Sequence, residues 1–177
     1  HRYEPYEITH SGLPWEKTAT HFLTGLPFPA ARLDDATAAR LEAAALDRVR
    51  AEITDPAART KLGEEIRGLV EKYRRSDAGP ATIAAEMRTV AEWAGRNGIP
   101  RERILLGEFG VYQDSVAPDV RAAIVRATRE AAEAEGFGWA IYTAGLTRAR
   151  SSFGILSDTA TTTVDPPIAE ALGLPPR

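Results

Sequence analysis

Glu108 is the side chain best placed to do chemistry. It ends a short apolar run, Arg103 to Tyr112 (RILLGEFGVY), with Gly107 and Gly110 close on either side. Such a run between two helical patterns reads as a buried parallel strand, and α/β folds hold their ligands at the carboxyl ends of those strands. The glycines leave room for backbone and ligand to approach. A carboxylate there can attack, accept a proton or bind; the plain alternative is a glutamate leaving the strand for water. His1-x-Tyr3 puts two polar rings on one face of a short extended segment. Trp139 and Tyr142 lie in a second apolar run, FGWAIYTAG over 137–145, where pattern alone assigns them to the core. His1, His10 and His21 match no metal-ligand spacing, and His-Glu-x-x-His is absent, so neither metal nor cofactor is expected. Phosphate-cradling glycine loops and Gly-x-Ser-x-Gly elbows are missing too.

These residues need elements to hold them. Residues 1–33 are rich in aromatics, proline and glycine, and too long for a routine connector. They read as an ordered loop lining a surface cleft. From Asp34 the pattern is helical, with Leu41, Ala45, Val49 and Ile53 at i, i+4, until Asp55-Pro56 stops it. A second helix carries Leu62, Ile66, Leu69 and Tyr73. A third carries Ile83, Met87, Val90 and Ala94, and ends at Asn97-Gly98. After the Glu108 strand, Pro118 opens a helix striped by Val120, Ile124, Ala127, Ala131 and Ala134. A Thr-rich turn and a short helix through Leu172 close the chain. From residue 80 onward the order is helix, strand, helix, strand, helix, which predicts parallel strands with right-handed crossovers. The helix pair at 35–75 reads as an insertion, since a plain β-to-α connection takes about 2–6 residues.

Composition sets the outer limits. The 177 residues are 44% hydrophobic and 27% charged, with 31 alanines, 19 arginines, three lysines and no cysteine. A chain of that size can bury one real core. Without cysteine there is no disulfide scaffold, thiol nucleophile or thiolate metal site. A net charge of −3 argues against nucleic acid or an anionic membrane as the main partner. Apolar stretches such as Ile104 to Leu106 are far short of the ~20 residues that span a bilayer.

HRYEP, then ITHSGLPW, then GEFGVY, then GFGWAIY with FGI at 153–155, together resemble glycoside hydrolase family 5, the cellulase-like family. The order and spacing run over essentially the whole chain, to Ala-Leu-Gly-Leu at 171–174. The resemblance implies a partial (β/α)8 TIM barrel, with residues 1–3 ending strand six, 103–109 as strand seven and 137–143 as strand eight. It implies a retaining hydrolase acting on β-linked glucans or related polysaccharides, with Glu108 as nucleophile. His1 and Tyr3 match the strand-six active-site pair, in which the tyrosine hydroxyl steadies the ionised nucleophile. The strand-eight sugar platform, normally tryptophan, falls on Tyr142, with Trp139 before it; a tyrosine offers less stacking area. Thr9-His10-Ser11-Gly12 departs from the family's Thr-His-Gln-Gly. His10 and Trp15 are further candidates for sugar contact.

A retaining mechanism needs a second carboxyl about 5–5.5 Å from the first, with a raised pKa, to protonate the departing oxygen. In the family it comes from Asn-Glu-Pro at the end of strand four, and that tripeptide does not occur here. A whole barrel takes about 250 residues. The chain therefore reads as a C-terminal portion whose partner is the missing N-terminal half, and the parent as a secreted or periplasmic enzyme. Ile104, Leu106, Trp139 and Ile141 are expected partly bare on the inner barrel face. The competing reading is a non-catalytic α/β domain that binds carbohydrate or protein through Glu108. A third is a helical interaction module carried by 35–75.

Overall fold

The computed structural model describes residues 1–14, 17–145, 153–158 and 163–175. Among them the opening segment is less of a loop than its composition suggests. It folds into two single-turn helices, α1 (Tyr6–Thr9) and α2 (Ala19–Phe22), and a 3-10 turn at Ala30–Arg32. Ile8, Leu13, Phe22, Leu23, Leu26 and Phe28 are all buried, so this segment supplies core as well as surface.

Two long helices follow, each started by an aspartate. α3 (Asp35–Glu52) is capped by Asp34, whose Oδ1 accepts from the Thr37 amide at 2.6 Å. α4 (Pro56–Arg75) is capped by Asp55, which accepts from the amides of Ala57 and Ala58 at 3.1 and 3.3 Å. Both caps satisfy helix-end donors that have no partner within the helix. The two helices pack on each other through Leu41, Ala45 and Val49 on α3 and Leu62, Ile66, Val70 and Tyr73 on α4. Ile53 falls just past α3 in extended backbone. On α5 (Pro80–Arg96) the buried stripe is Ile83, Met87, Ala91 and Ala94, and the expected core residue Val90 is exposed instead.

The sheet that carries Glu108 is parallel. β1 (Leu105–Phe109) pairs with β2 (Gly138–Ile141), and α6 (Pro118–Ala134) crosses between them. Residues 1–3 lie along the other side of β1: Arg2 bridges Phe109 in parallel, and its amide donates to the Glu108 carbonyl at 2.9 Å. The β1–β2 register shifts between Leu106 and Phe109, so the Glu108 region interrupts the regular alternation. That shift corrects one expectation. Leu106 is not bare: it is 8% exposed and packs with Phe109 in the core, whereas Leu105 is 65% exposed. Ile104, Trp139 and Ile141 are partly buried against the same core. Beyond β2 the chain forms a small antiparallel pair, β3 (Leu156–Asp158) with β4 (Thr163–Val164), then α7 (Pro166–Ala171) packed on α6. Periodicity gave no sign of β3 and β4, which are too short to show one.

Candidate active site

The pairing of residues 1–3 with β1 brings His1, Tyr3 and Glu108 to one sheet end. The Tyr3 hydroxyl donates to Glu108 Oε1. His1 Nδ1 stands 3.7 Å from Glu108 Oε2. Burial, then the adjoining Glu108 carboxylate, push the Tyr3 phenol well above its ordinary range. Tyr3 is thus a neutral donor at physiological pH. Neither nearby acid of the opening segment turns to this pair. The Glu4 carboxylate accepts from the Tyr6 amide at 3.0 Å, and buried Glu7 is held by Lys72 Nζ at 2.7 Å.

His10 joins through the next layer. Thr9 Oγ1 donates to the Tyr3 carbonyl at 2.5 Å, which leaves it to accept from His10 Nδ1 at 2.9 Å. That network assigns the ring proton to Nδ1. Burial holds His10 below the ordinary histidine range, so the ring is neutral at pH 7. One of its faces stacks on Tyr6 at 3.9 Å between centroids, and Tyr3 meets it edge-on at 5.1 Å.

Phe153 ties these rings together. It lies 5.6 Å from Tyr3, 5.1 Å from His10, 5.8 Å from Tyr142 and 5.8 Å from Tyr112. Such edge and tilted contacts each add roughly 0.5–1.5 kcal/mol beyond buried area. Sequence reasoning missed Phe153 as a site residue, because no periodicity links it to positions 3 or 10. Tyr142 hangs from the end of β1 by its amide, which donates to the Phe109 carbonyl at 2.7 Å, and its ring is 45% exposed. A carboxylate with a phenol donor beside it and an exposed ring nearby can attack or stabilise a cationic carbon while an apolar ligand face rests on the ring.

Two expected residues are not in this group. Trp139 sits on the other side of the sheet, where its Nε1 donates to Glu133 Oε1 of α6 at 3.0 Å and its ring meets Phe109 at 6.0 Å. β2 alternation turns Trp139 toward the helices, away from Tyr142. Trp15 lies outside the described residues. Among the described residues no group of three His, Cys, Asp or Glu side chains is placed to hold a metal ion. His21, for one, is engaged elsewhere, by the Leu13 carbonyl at 2.6 Å and Glu52 at 3.4 Å.

The two glycines beside Glu108 differ. A Cβ on Gly110 would stand 2.2 Å from the Tyr142 carbonyl oxygen, while one on Gly107 would meet nothing within 4 Å. Gly110→Ala must therefore displace the Tyr142 backbone, and is expected to cost about 1–3 kcal/mol of stability, whereas Gly107→Ala is tolerated. Urea unfolding of the two variants checks this, and equal midpoints would show that Gly110 is not needed for the contact.

No protein-family model matches the chain, and no curated protein matches it. Solved structures do. An endoglucanase superposes with a TM-score of 0.56 at 21% identity, over 98% of this chain and 38% of its own. A hyperthermophilic endo-β-1,4-glucanase in complex with substrate gives 0.53 at 25% identity, with the same coverages. Cel5A of Thermotoga maritima, in complex with cellobiose, gives 0.52 at 19% identity over 97% of this chain and 37% of that one. The chain has the α/β fold of part of a cellulase barrel domain. It spans 38% or less of the length of these structures.

Proposed function

We propose that this chain is the nucleophile-bearing part of a retaining glycoside hydrolase of family 5, acting on β-linked glucans or related polysaccharides. The observation that carries the reading is the Tyr3 hydroxyl donating to Glu108 at the end of a parallel sheet whose fold is that of part of an endoglucanase. Residues 1–3, β1 and β2 are then strands six, seven and eight of a (β/α)8 barrel, and α3 with α4 is an insertion after strand six. Glu108 attacks the anomeric carbon as the bond to the leaving oxygen breaks, forming a glycosyl-enzyme that water later hydrolyses. Tyr3 and His1 position the carboxylate. Tyr142 stacks on the sugar, and His10 and Trp15 are further candidates for sugar contact. The proton donor is a second carboxylate outside this chain, on the Asn-Glu-Pro segment that the sequence does not contain. The cellobiose bound in one matched structure and the endo-β-1,4-glucanase name of another support the substrate class. A parent acting on such polymers is exported.

The test is covalent trapping. The chain joined to the segment encoded upstream of His1 is treated with an activated 2-deoxy-2-fluoro-β-cellobioside, which slows hydrolysis of the intermediate. Mass spectrometry is expected to find the sugar ester on Glu108. A sugar on any other carboxylate overturns the assignment.

A further inference from the structure

Arg121 is buried to 4% exposure in the first turns of α6, where a surface-facing arginine would be ordinary. Its guanidinium reaches three separate stretches of chain. Nε donates to the Val111 carbonyl at 3.2 Å, Nη2 donates to the Gly154 carbonyl, and Nη1 pairs with Asp165 Oδ2 at 3.3 Å. Asp165 and Asp114 are the carboxylates whose charge it feels. Each of the three stretches leads to the site. Val111 is three residues beyond Glu108 on the same strand end. Gly154 follows Phe153, the ring that meets Tyr3, His10 and Tyr142. Asp165 opens α7, and its amide donates to the Ile155 carbonyl at 2.8 Å, closing the loop back to the same turn.

We propose that Arg121 is a positioning residue for the Tyr3–Glu108 pair, acting by fixing the Phe153 turn against the end of β1. The proposal rests on the reading of that pair as the reacting centre. Two sets of bonds hold Phe153, and they fix different coordinates. Thr143 exchanges hydrogen bonds with Phe153 and Ile155 at 3.3 and 3.0 Å, which sets the turn relative to β2. Arg121 alone among the described contacts bonds both Gly154 and Val111, which sets it relative to β1. Without the guanidinium the turn still follows β2, but Phe153 no longer backs the Tyr3 ring at a fixed distance from Glu108. The planar fork is suited to this work because one side chain serves several acceptors, and a lysine would serve fewer.

The experiment reads Tyr3 directly. The chain joined to the segment encoded upstream of His1 is labelled with 13Cζ-tyrosine, and each phenol is titrated by NMR, with Tyr3→Phe to assign the signal. In the parent chain Tyr3 is expected to ionise well above the ordinary phenol range. Arg121→Met is expected to bring that titration back toward the ordinary phenol range, and Arg121→Lys to restore it in part. If Arg121→Met does not fold, Phe153→Leu stands in: it keeps the guanidinium but removes the ring, and the same downward shift is expected. A folded Arg121→Met or Phe153→Leu chain whose Tyr3 titration is unchanged overturns the proposal. No substrate is used, so a parent that never cleaves a glucan would sink the hydrolase reading and leave this result standing.

Discussion

Glu108→Gln, in the chain joined to its upstream segment, is expected to lower turnover on a β-glucan by several orders of magnitude while leaving glucan binding nearly intact. The amide has the shape of the carboxylate and still accepts from the Tyr3 hydroxyl, so the cleft keeps its form. What it loses is the negative oxygen that must bond to the anomeric carbon. Without that bond the two-step route has no intermediate, and a thousandfold loss is already about 4 kcal/mol of transition-state stabilisation. On the proposed reading, binding rests instead on rings such as Tyr142 and on sugar hydroxyl contacts, which the substitution does not touch. A second variant separates the roles. With Glu108→Gly, added azide enters the vacated space and attacks the anomeric carbon while the acid protonates the departing oxygen, so an α-glycosyl azide accumulates. Calorimetry for binding and product analysis for turnover decide the matter. A Glu108→Gln enzyme with a tenth of normal activity would mean that Glu108 is not the nucleophile.

The second expectation concerns the 177 residues by themselves. Alone they should not hydrolyse glucans, because a leaving oxygen without its general acid forfeits about 10²–10⁴ in rate before any lost subsite is counted. They should also self-associate. Leu105 is 65% exposed at the start of a parallel strand, a setting in which both faces are normally covered. The segment at 1–3 pairs with β1 through a single bridge, and exposed strand edges and apolar faces favour association. Trp93 and Val90 add an apolar face on α5 that nothing in the described structure covers. Joined to, or mixed with, the upstream segment, the chain should become monomeric and gain activity. Sedimentation and a cello-oligosaccharide assay, run on the chain alone and on the mixture, give both readings. A monomer that cleaves the oligosaccharide unaided would refute the incomplete-barrel reading.

Much of the frame was legible because local chemistry decides it. Asp34 marks a helix start whatever surrounds it, since a capping carboxylate answers an amide three residues away; Asp55-Pro56 was legible as a helix stop, and its role as the cap of α4 came from the structure. The alternation of helix and apolar run after residue 80 predicts the parallel pairing of β1 with β2. Glu108 was singled out by its neighbours in sequence, and its contact with Tyr3 follows once residues 1–3 lie beside β1. The resemblance in the HRYEP and GEFGVY segments pointed to part of a cellulase-like domain, and the superpositions give the α/β fold of part of one.

Side-chain direction was another matter. Strict alternation puts Leu106 on the inner face, but the register shift between Leu106 and Phe109 breaks the period of two, and Leu105 takes the exposed place. Trp139 is an aromatic near the site in sequence, yet its bond to Glu133 shows that it serves the helix side. The contacts of Phe153, which the resemblance included only as part of FGI, and of Arg121 were not legible for a simpler reason. Phe153 meets Tyr3 across 150 positions and Arg121 meets Gly154 across 33, and no spacing rule reaches that far. By itself the sequence determined the helix cap at Asp34, the β/α order and the carboxylate at the strand end, because each depends on groups a few bonds apart. Only the tertiary structure decided which rings back Tyr3, which face of each strand meets the helices and where a buried arginine finds its acceptors, because those depend on distant segments packed together.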